Sequence, residues 1–371
     1  MRAAHFLLEE RTCFLNHGAF GACLKDALRA AQHWQRTVEL QPLRFLDREL
    51  LPHLVGVTRR LASTLRVPPT ELVLIENATT GFNAVVAAAV SSGVLRKPGA
   101  RIVTTSLTYG SLKKLLAAEA AKHGAELDVV ELSIADGSLS SPAAVLAAVE
   151  AALTPDTTFA VFDHVSSTHA VVLPVQELTA LCASRGIPVF IDGAHGLGAF
   201  DLSLADLGAD FYTGNAHKWL CAPKGAAFLH AKPQHHAHLR PPLVSHGYGS
   251  GFASEWAWQG LRDYSPLLAL HFVLDWWHAV GPERIRRHMR DTVRSAAEDC
   301  ATAWGVEPWP CGKELHSGPM VLVPLPLSCN RTDGVPATYA DAELIQVTSN
   351  SDARLSYMNV FIWAPERLPR A

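Results

Sequence analysis

The apolar positions of the chain fall into short runs separated by longer stretches of helical periodicity, and from Thr70 onward the alternation becomes regular. Residues 71–75, 101–105, 125–134, 157–163, 187–192 and 209–213 read as strands. Helices are predicted between them over 82–90, 111–123, 142–153 and 174–185. Val189, Phe190 and Ile191 follow one another without a polar residue, as in a strand buried on both faces. Strands that alternate with helices in this way predict an α/β fold, a mostly parallel sheet with helices on both faces. Ahead of this region, residues 22–39 read as a long helix. Behind it, 267–280 and 283–304 read as two helices broken at Gly281-Pro282, and 319–327 as a strand of a smaller α+β domain. The division expected is an N-terminal segment (1–45), a large domain (46–265) and a small C-terminal domain (266–371), incomplete after about residue 328, because 329–371 shows little periodicity.

Bulk composition narrows the partners. At 371 residues the chain can bury one large core and a smaller one. Apolar residues make up 49% and charged ones 18%, with a formal net charge of -3, so nothing favours nucleic acid or an anionic membrane. A small-molecule partner fits better. Seven cysteines without CxxC spacing argue against a disulfide framework or structural zinc. No apolar run suits a signal peptide or a membrane span, and a cytoplasmic location is the expectation. His230, His235, His236 and His238 lack regular spacing and a neighbouring carboxylate or thiol, and they are expected on a surface loop with no metal.

The candidate chemistry lies between Ile187 and Gly225. The strand ending at Ile191 delivers Asp192 to the edge of the sheet, and the next strand breaks into Gly214, Asn215, Ala216, His217, Lys218 and Trp219. A lysine at a strand end, flanked by an aromatic and a histidine, is a candidate for a lowered pKa and for imine formation. An acid paired with such a lysine matches the needs of pyridoxal 5'-phosphate: an amine for its aldehyde, and a carboxylate that keeps its pyridine nitrogen protonated. Taken singly, Asp192 could be a helix cap and Lys218 a surface charge. Upstream, Asn77, Ala78, Thr79, Thr80 and Gly81 join a strand to a helix start, where Ala78 and Thr79 could hold a phosphate with unpaired amides or serve only as an ordinary cap. Tyr109, at a strand end, could stack on the cofactor ring or lie in the core. Arg44 could fork onto a substrate carboxylate or act as a structural or interface arginine.

Asp192-Gly193-Ala194-His195, Gly214 to Trp219 and Pro223-Lys224-Gly225 resemble the cofactor core of class V aminotransferase-like enzymes. The isopenicillin N epimerase-like branch, which includes hercynylcysteine sulfoxide lyases, is the most similar. The resemblance spans about residues 10 to 326. It implies the pyridoxal-phosphate-dependent transferase fold (fold type I) and an enzyme acting at Cα or Cβ of an amino acid through an imine on Lys218. Epimerase or carbon–sulfur lyase chemistry is the expectation, with a transaminase or a catalytically weak truncated form as alternatives. It further implies that His195 meets the ring's phenolic oxygen or a reacting proton, that Ser167 makes a polar contact there, and that Asn215 and His217 bind phosphate. Asn16 and His17 would lie on the substrate side. Gly260-Leu261 falls where a neighbouring subunit would approach the phosphate, with the usual threonine replaced, so a homodimer is expected, and Arg262 and Asp263 are expected to form an ion pair. The carboxylate-gripping arginine of the branch has no match, and Arg354 is not assigned to that role. No cysteine occupies the C-terminal glycine-rich loop that persulfide-forming desulfurases use.

Overall fold

The structure, a computed structural model, describes residues 2–9, 14–308, 311–324 and 357–360. Seven strands form the main sheet: β1 (Leu72–Ile75), β2 (Arg101–Thr105), β3 (Glu126–Val130), β4 (Thr157–Asp163), β5 (Val189–Asp192), β6 (Phe211–Asn215) and β7 (Ala227–Ala231). Their spatial order is β1-β7-β6-β5-β4-β2-β3. All pairings are parallel except those of β7, which runs antiparallel to both neighbours. Every residue of β5, β6 and β7 is buried, and only Thr158 interrupts β4. Sequestering side chains such as Phe190 and Ile191 from water contributes about 1.5–3 kcal/mol each.

β7 was not expected. Its residues Ala227 to Ala231 follow a loop that doubles back from β6, so the return is antiparallel, and the strand fills the gap between β6 and β1. This corrects the surface-loop expectation for His230, whereas His238 does lie exposed in a turn after the strand. His230 lies inside β7, 3% exposed, with Nε2 3.2 Å from Glu71 Oε2. His235 Nε2 lies 2.9 Å from Asp210 Oδ1. Both carboxylates come from elsewhere in the chain, out of reach of a local reading. Among the described residues, no group of three or more His, Cys, Asp and Glu side chains is arranged to hold a metal.

The helices begin and end where local chemistry dictates. Asn77 caps the helix Ala78–Ser91 by accepting from the Thr80 N–H, and Ser141 caps Pro142–Ala152 through the Ala144 N–H. Pro282 opens the helix Pro282–Trp304, where its missing N–H costs nothing. That helix buries Val293, Ala297 and Ala301 against Val321 and Val323 of β8 (Val321–Pro324), which pairs with β9 (Tyr357–Val360). The remainder of the tail, including Arg354 and Cys329, lies outside the described residues, and no described helix is long and apolar enough to cross a membrane.

Residues 14–21 include a helical turn, His17–Phe20, capped by Asn16. Gly21 follows it at φ +71°, and a Cβ there would lie 2.0 Å from the His217 carbonyl oxygen. Only glycine lets the entry segment press against the backbone that carries Lys218.

Candidate active site

The C-terminal ends of β4, β5 and β6 bring Asp163, Asp192 and Thr213 side by side in register. Asp192 is 4% exposed, and its Oδ1 accepts the Ala194 N–H at 3.0 Å. Burial raises its pKa, while the Ala194 bond and the Lys218 charge work against that rise. Asp163 is 2% exposed and accepts the Tyr109 N–H at 3.1 Å. Burial, and then the Asp192 charge, push its pKa well above the usual carboxylate range. Two buried acids in neighbouring register positions each disfavour the other's charge, and the rise is larger for Asp163.

Lys218 sits in the loop after β6. Burial pulls its pKa from 10.5 to about 8, and the charges of Asp192 and Asp163 oppose that fall without cancelling it. Its Nζ lies 3.1 Å from His195 Nε2. The indole N–H of Trp219 reaches the other ring nitrogen, Nδ1, at 3.3 Å. Burial, then the Lys218 charge, hold the His195 pKa well below 6.5. The expected trio of Asp192, His195 and Lys218 therefore assembles at one end of the sheet.

The remaining expected residues divide. Thr79 is exposed at the first turn of the helix Ala78–Ser91, and among the described residues nothing bonds its N–H or hydroxyl. His217, next to Lys218, turns Nδ1 to the Ala226 carbonyl at 3.3 Å, which leaves Nε2 available. Burial, then the Lys218 charge, lower its pKa to about 4. Ala78 and Asn215, expected to share the phosphate, instead bond each other: the Ala78 N–H donates to Asn215 Oδ1 at 2.9 Å and anchors the helix start to β6. Tyr109 is 44% exposed just ahead of the helix Gly110–His123, not in the core. Ser167 is half-buried in the turn after β4.

The substrate-side expectations change most. His17 is fully buried, and it accepts the Ala22 N–H at Nδ1 and lies 3.0 Å from the Lys218 carbonyl through Nε2, so it braces the lysine's backbone. Asn16 caps its helical turn through the Ala19 N–H. Arg44 is exposed and pairs with Glu49 at 2.8 Å. Arg262 and Asp263 do not pair with each other: Arg262 pairs with Glu76, while Asp263 accepts from Gln35 and from the Ser265 N–H. Lys224 Nζ donates to the Gly21 carbonyl at 2.9 Å.

Sequence reading left Asp163, Tyr212 and Trp219 without roles. Tyr212, fully buried in β6, meets His164 Nδ1 at 2.8 Å, and a Cβ on Gly196 would lie 2.0 Å from its hydroxyl oxygen. The available signal for Asp163 was its place at the end of a strand parallel to the one that ends in Asp192.

This donor set fits pyridoxal phosphate. It offers a buried amine for the aldehyde, a buried carboxylate for the pyridine nitrogen, and a helix N-terminus with the Thr79 amide and hydroxyl free for an anion. Sheet and site together define a fold type I pyridoxal-phosphate enzyme. The sequence profile of the family described as Aminotransferase class-V matches residues 53–305, and the chain belongs to that family. A putative L-cysteine desulfhydrase 2 of Oryza sativa subsp. japonica is 34% identical over 324 residues, 82% of this chain and 67% of that protein. An isopenicillin N epimerase of Streptomyces clavuligerus is 34% identical over 306 residues, 78% of this chain and 75% of that protein. Among solved structures, the cystine C-S lyase C-DES in complex with cysteine persulfide superposes with a TM-score of 0.66 at 21% identity, covering 76% of this chain and 77% of that one. An apo cysteine desulfurase from Thermococcus onnurineus NA1 gives 0.72 at 18%, covering 93% and 84%. At those identities the structures speak for the fold.

Proposed function

We propose that the chain is a carbon–sulfur lyase that releases sulfide or a sulfur leaving group from Cβ of L-cysteine, a cysteine conjugate or a cysteine sulfoxide. The carrying observation is the buried amine of Lys218, drawn to about 8 and set beside His195 at the sheet end that presents Asp192. Bound there, pyridoxal phosphate withdraws electrons from the substrate's Cα. Lys218 takes the Cα proton, since its amine is part-neutral near neutral pH, and the electron pair left behind expels the sulfur group from Cβ. Asp192 supplies negative charge for the pyridine nitrogen, Thr79 and His217 bind the phosphate, and Tyr109 presents a flat, accessible ring at the mouth of the site. Overall, L-cysteine and water give pyruvate, sulfide and ammonium.

The desulfhydrase relatives support the lyase reading, and the isopenicillin N epimerase relative supports a second one, inversion at Cα. Incubation with cysteine, its conjugates and its sulfoxides distinguishes them. Pyruvate with a sulfur product supports the lyase, stereochemical exchange without pyruvate the epimerase, and keto-acid with retained sulfur a transaminase. Binding of the cofactor without any turnover would leave the catalytically weak form.

A homodimer is part of the proposal. Leu43, Leu51, Val55 and Leu261 are exposed apolar side chains, and Leu51 and Val55 line a cleft of about 250 Å³ with Trp256 and Arg262. Such a surface suits a second copy of the chain, and light scattering at micromolar concentration tests it. Free Cys23, Cys182, Cys221, Cys300 and Cys311 accord with the proposed cytoplasmic location.

A further inference from the structure

His195 is gripped from two sides, and the two contacts together dictate where its proton resides. The Trp219 indole nitrogen is a donor only, and it points at Nδ1 from 3.3 Å. Nδ1 therefore presents a lone pair. The ring is 3% exposed and Trp219 fully buried, which shields that contact from bulk water. A buried, neutral imidazole with a lone pair at Nδ1 carries its proton at Nε2. Nε2 faces the Lys218 amine at 3.1 Å. An ammonium has three donors and no acceptor, so it would set N–H against N–H. Only the unprotonated amine offers the lone pair that this geometry requires.

We propose that Trp219 is a positioning residue that locks His195 as the Nε2–H tautomer and thereby raises the fraction of Lys218 present as the free, nucleophilic amine. This rests on the reading of Lys218 as the cofactor's anchor. Other groups act on the same amine: Asp192 and Asp163 favour the ammonium, and burial opposes it. The His195 contact adds to burial. Without the indole N–H, the imidazole is free to move its proton to Nδ1 and accept from an ammonium at Nε2, which turns a contact against the charged lysine into one that favours it.

The test uses the full-length apoprotein, carrying either β-(3-benzothienyl)alanine at position 219, which keeps the indole's shape and lacks its N–H, or Trp219→Phe. Nitrogen NMR of ¹⁵N-histidine-labelled protein reports the tautomer, with the His195 signals assigned by their loss in His195→Gln. Timed reductive methylation with peptide mapping reports the free-amine fraction at position 218 across pH. We expect an Nε2-protonated His195 in the parent chain, the Nδ1-protonated form in the analogue, and a free-amine fraction at neutral pH lower by about tenfold, the scale of one charge-assisted hydrogen bond. A parent His195 already protonated at Nδ1, or an analogue with unchanged tautomer and amine titration, would overturn the proposal. If Trp219→Phe does not fold, the shape-preserving analogue decides. Failure of the parent chain to gain visible absorbance with added pyridoxal phosphate would count against the anchor reading alone, since the tautomer and amine measurements need no cofactor.

Discussion

Asp163 and Asp192 stand opposite each other in register at the ends of β4 and β5, both buried. The raised pKa of Asp163 means that the folded chain binds this proton more tightly than the unfolded chain. Its stabilising effect is complete below the ordinary carboxyl range, near pH 4, and is lost as pH rises toward the elevated folded value. Asp163→Asn keeps an acceptor for the Tyr109 N–H and has nothing to ionise. The variant is expected to retain activity within a few-fold and to gain stability over the parent chain as pH rises above that range. Asp163→Ala leaves the amide unpaired and is expected to lose about 1–3 kcal/mol. Denaturant titrations at several pH values check both, and a parallel pH profile for Asp163→Asn and parent would contradict the assignment.

Asp192 differs in kind, because its charge is used. Asp192→Asn preserves size and the Ala194 hydrogen bond while removing the negative charge. Turnover is expected to fall by about 10²–10³, the usual loss when one preorganised electrostatic partner is removed. Initial rates at saturating cofactor measure it.

Lys218 is costly to the apoprotein. Its folded pKa, about 8, lies below the ordinary 10.5, so the unfolded chain binds this proton more tightly. Stability from this group is present above pH 10.5 and lost as pH falls toward 8. Lys218→Met removes that loss and is expected to stabilise the apoprotein at pH 7 by a margin on the order of 3 kcal/mol while abolishing turnover. The gain fades above pH 10.5. Thermal unfolding at pH 7 and at alkaline pH shows whether it does.

Buried histidines set the acid limit. Burial lowers the pKa of His17, His164, His217 and His316 from 6.5 to about 4. The unfolded chain takes up these protons first, so stability is lost as pH falls from 6.5 toward 4, at up to roughly 1.4 kcal/mol per pH unit for each ring. His164→Gln is expected to reduce that slope by about one proton's worth, read from unfolding free energies at intervals of half a pH unit.

Much of this was legible in the chain. Val189 to Asp192 announced a buried strand that ends in an acid, and the break after Thr213 announced a lysine at a strand end, because both are local patterns. β7 was missed: it lacks alternation, and its pairing depends on a reversal at the Lys218 loop. The histidine partners Glu71 and Asp210 were invisible because they are distant in sequence. Ala78 and Asn215 matched a phosphate pattern, but each satisfies the other across 137 residues. His17 showed its residue type and not its burial beneath Lys218. The roles of Asp163 and Trp219 arise only once neighbouring strands and loops are brought together.

The account turns on which amine receives the cofactor. Borohydride reduction of the protein loaded with pyridoxal phosphate, followed by peptide mass mapping, fixes the label permanently. The pyridoxyl mass is expected on Lys218, with none on the neighbouring Lys224. A label on Lys224 or any other lysine, or loading that leaves Lys218 unmodified, would contradict the central claim.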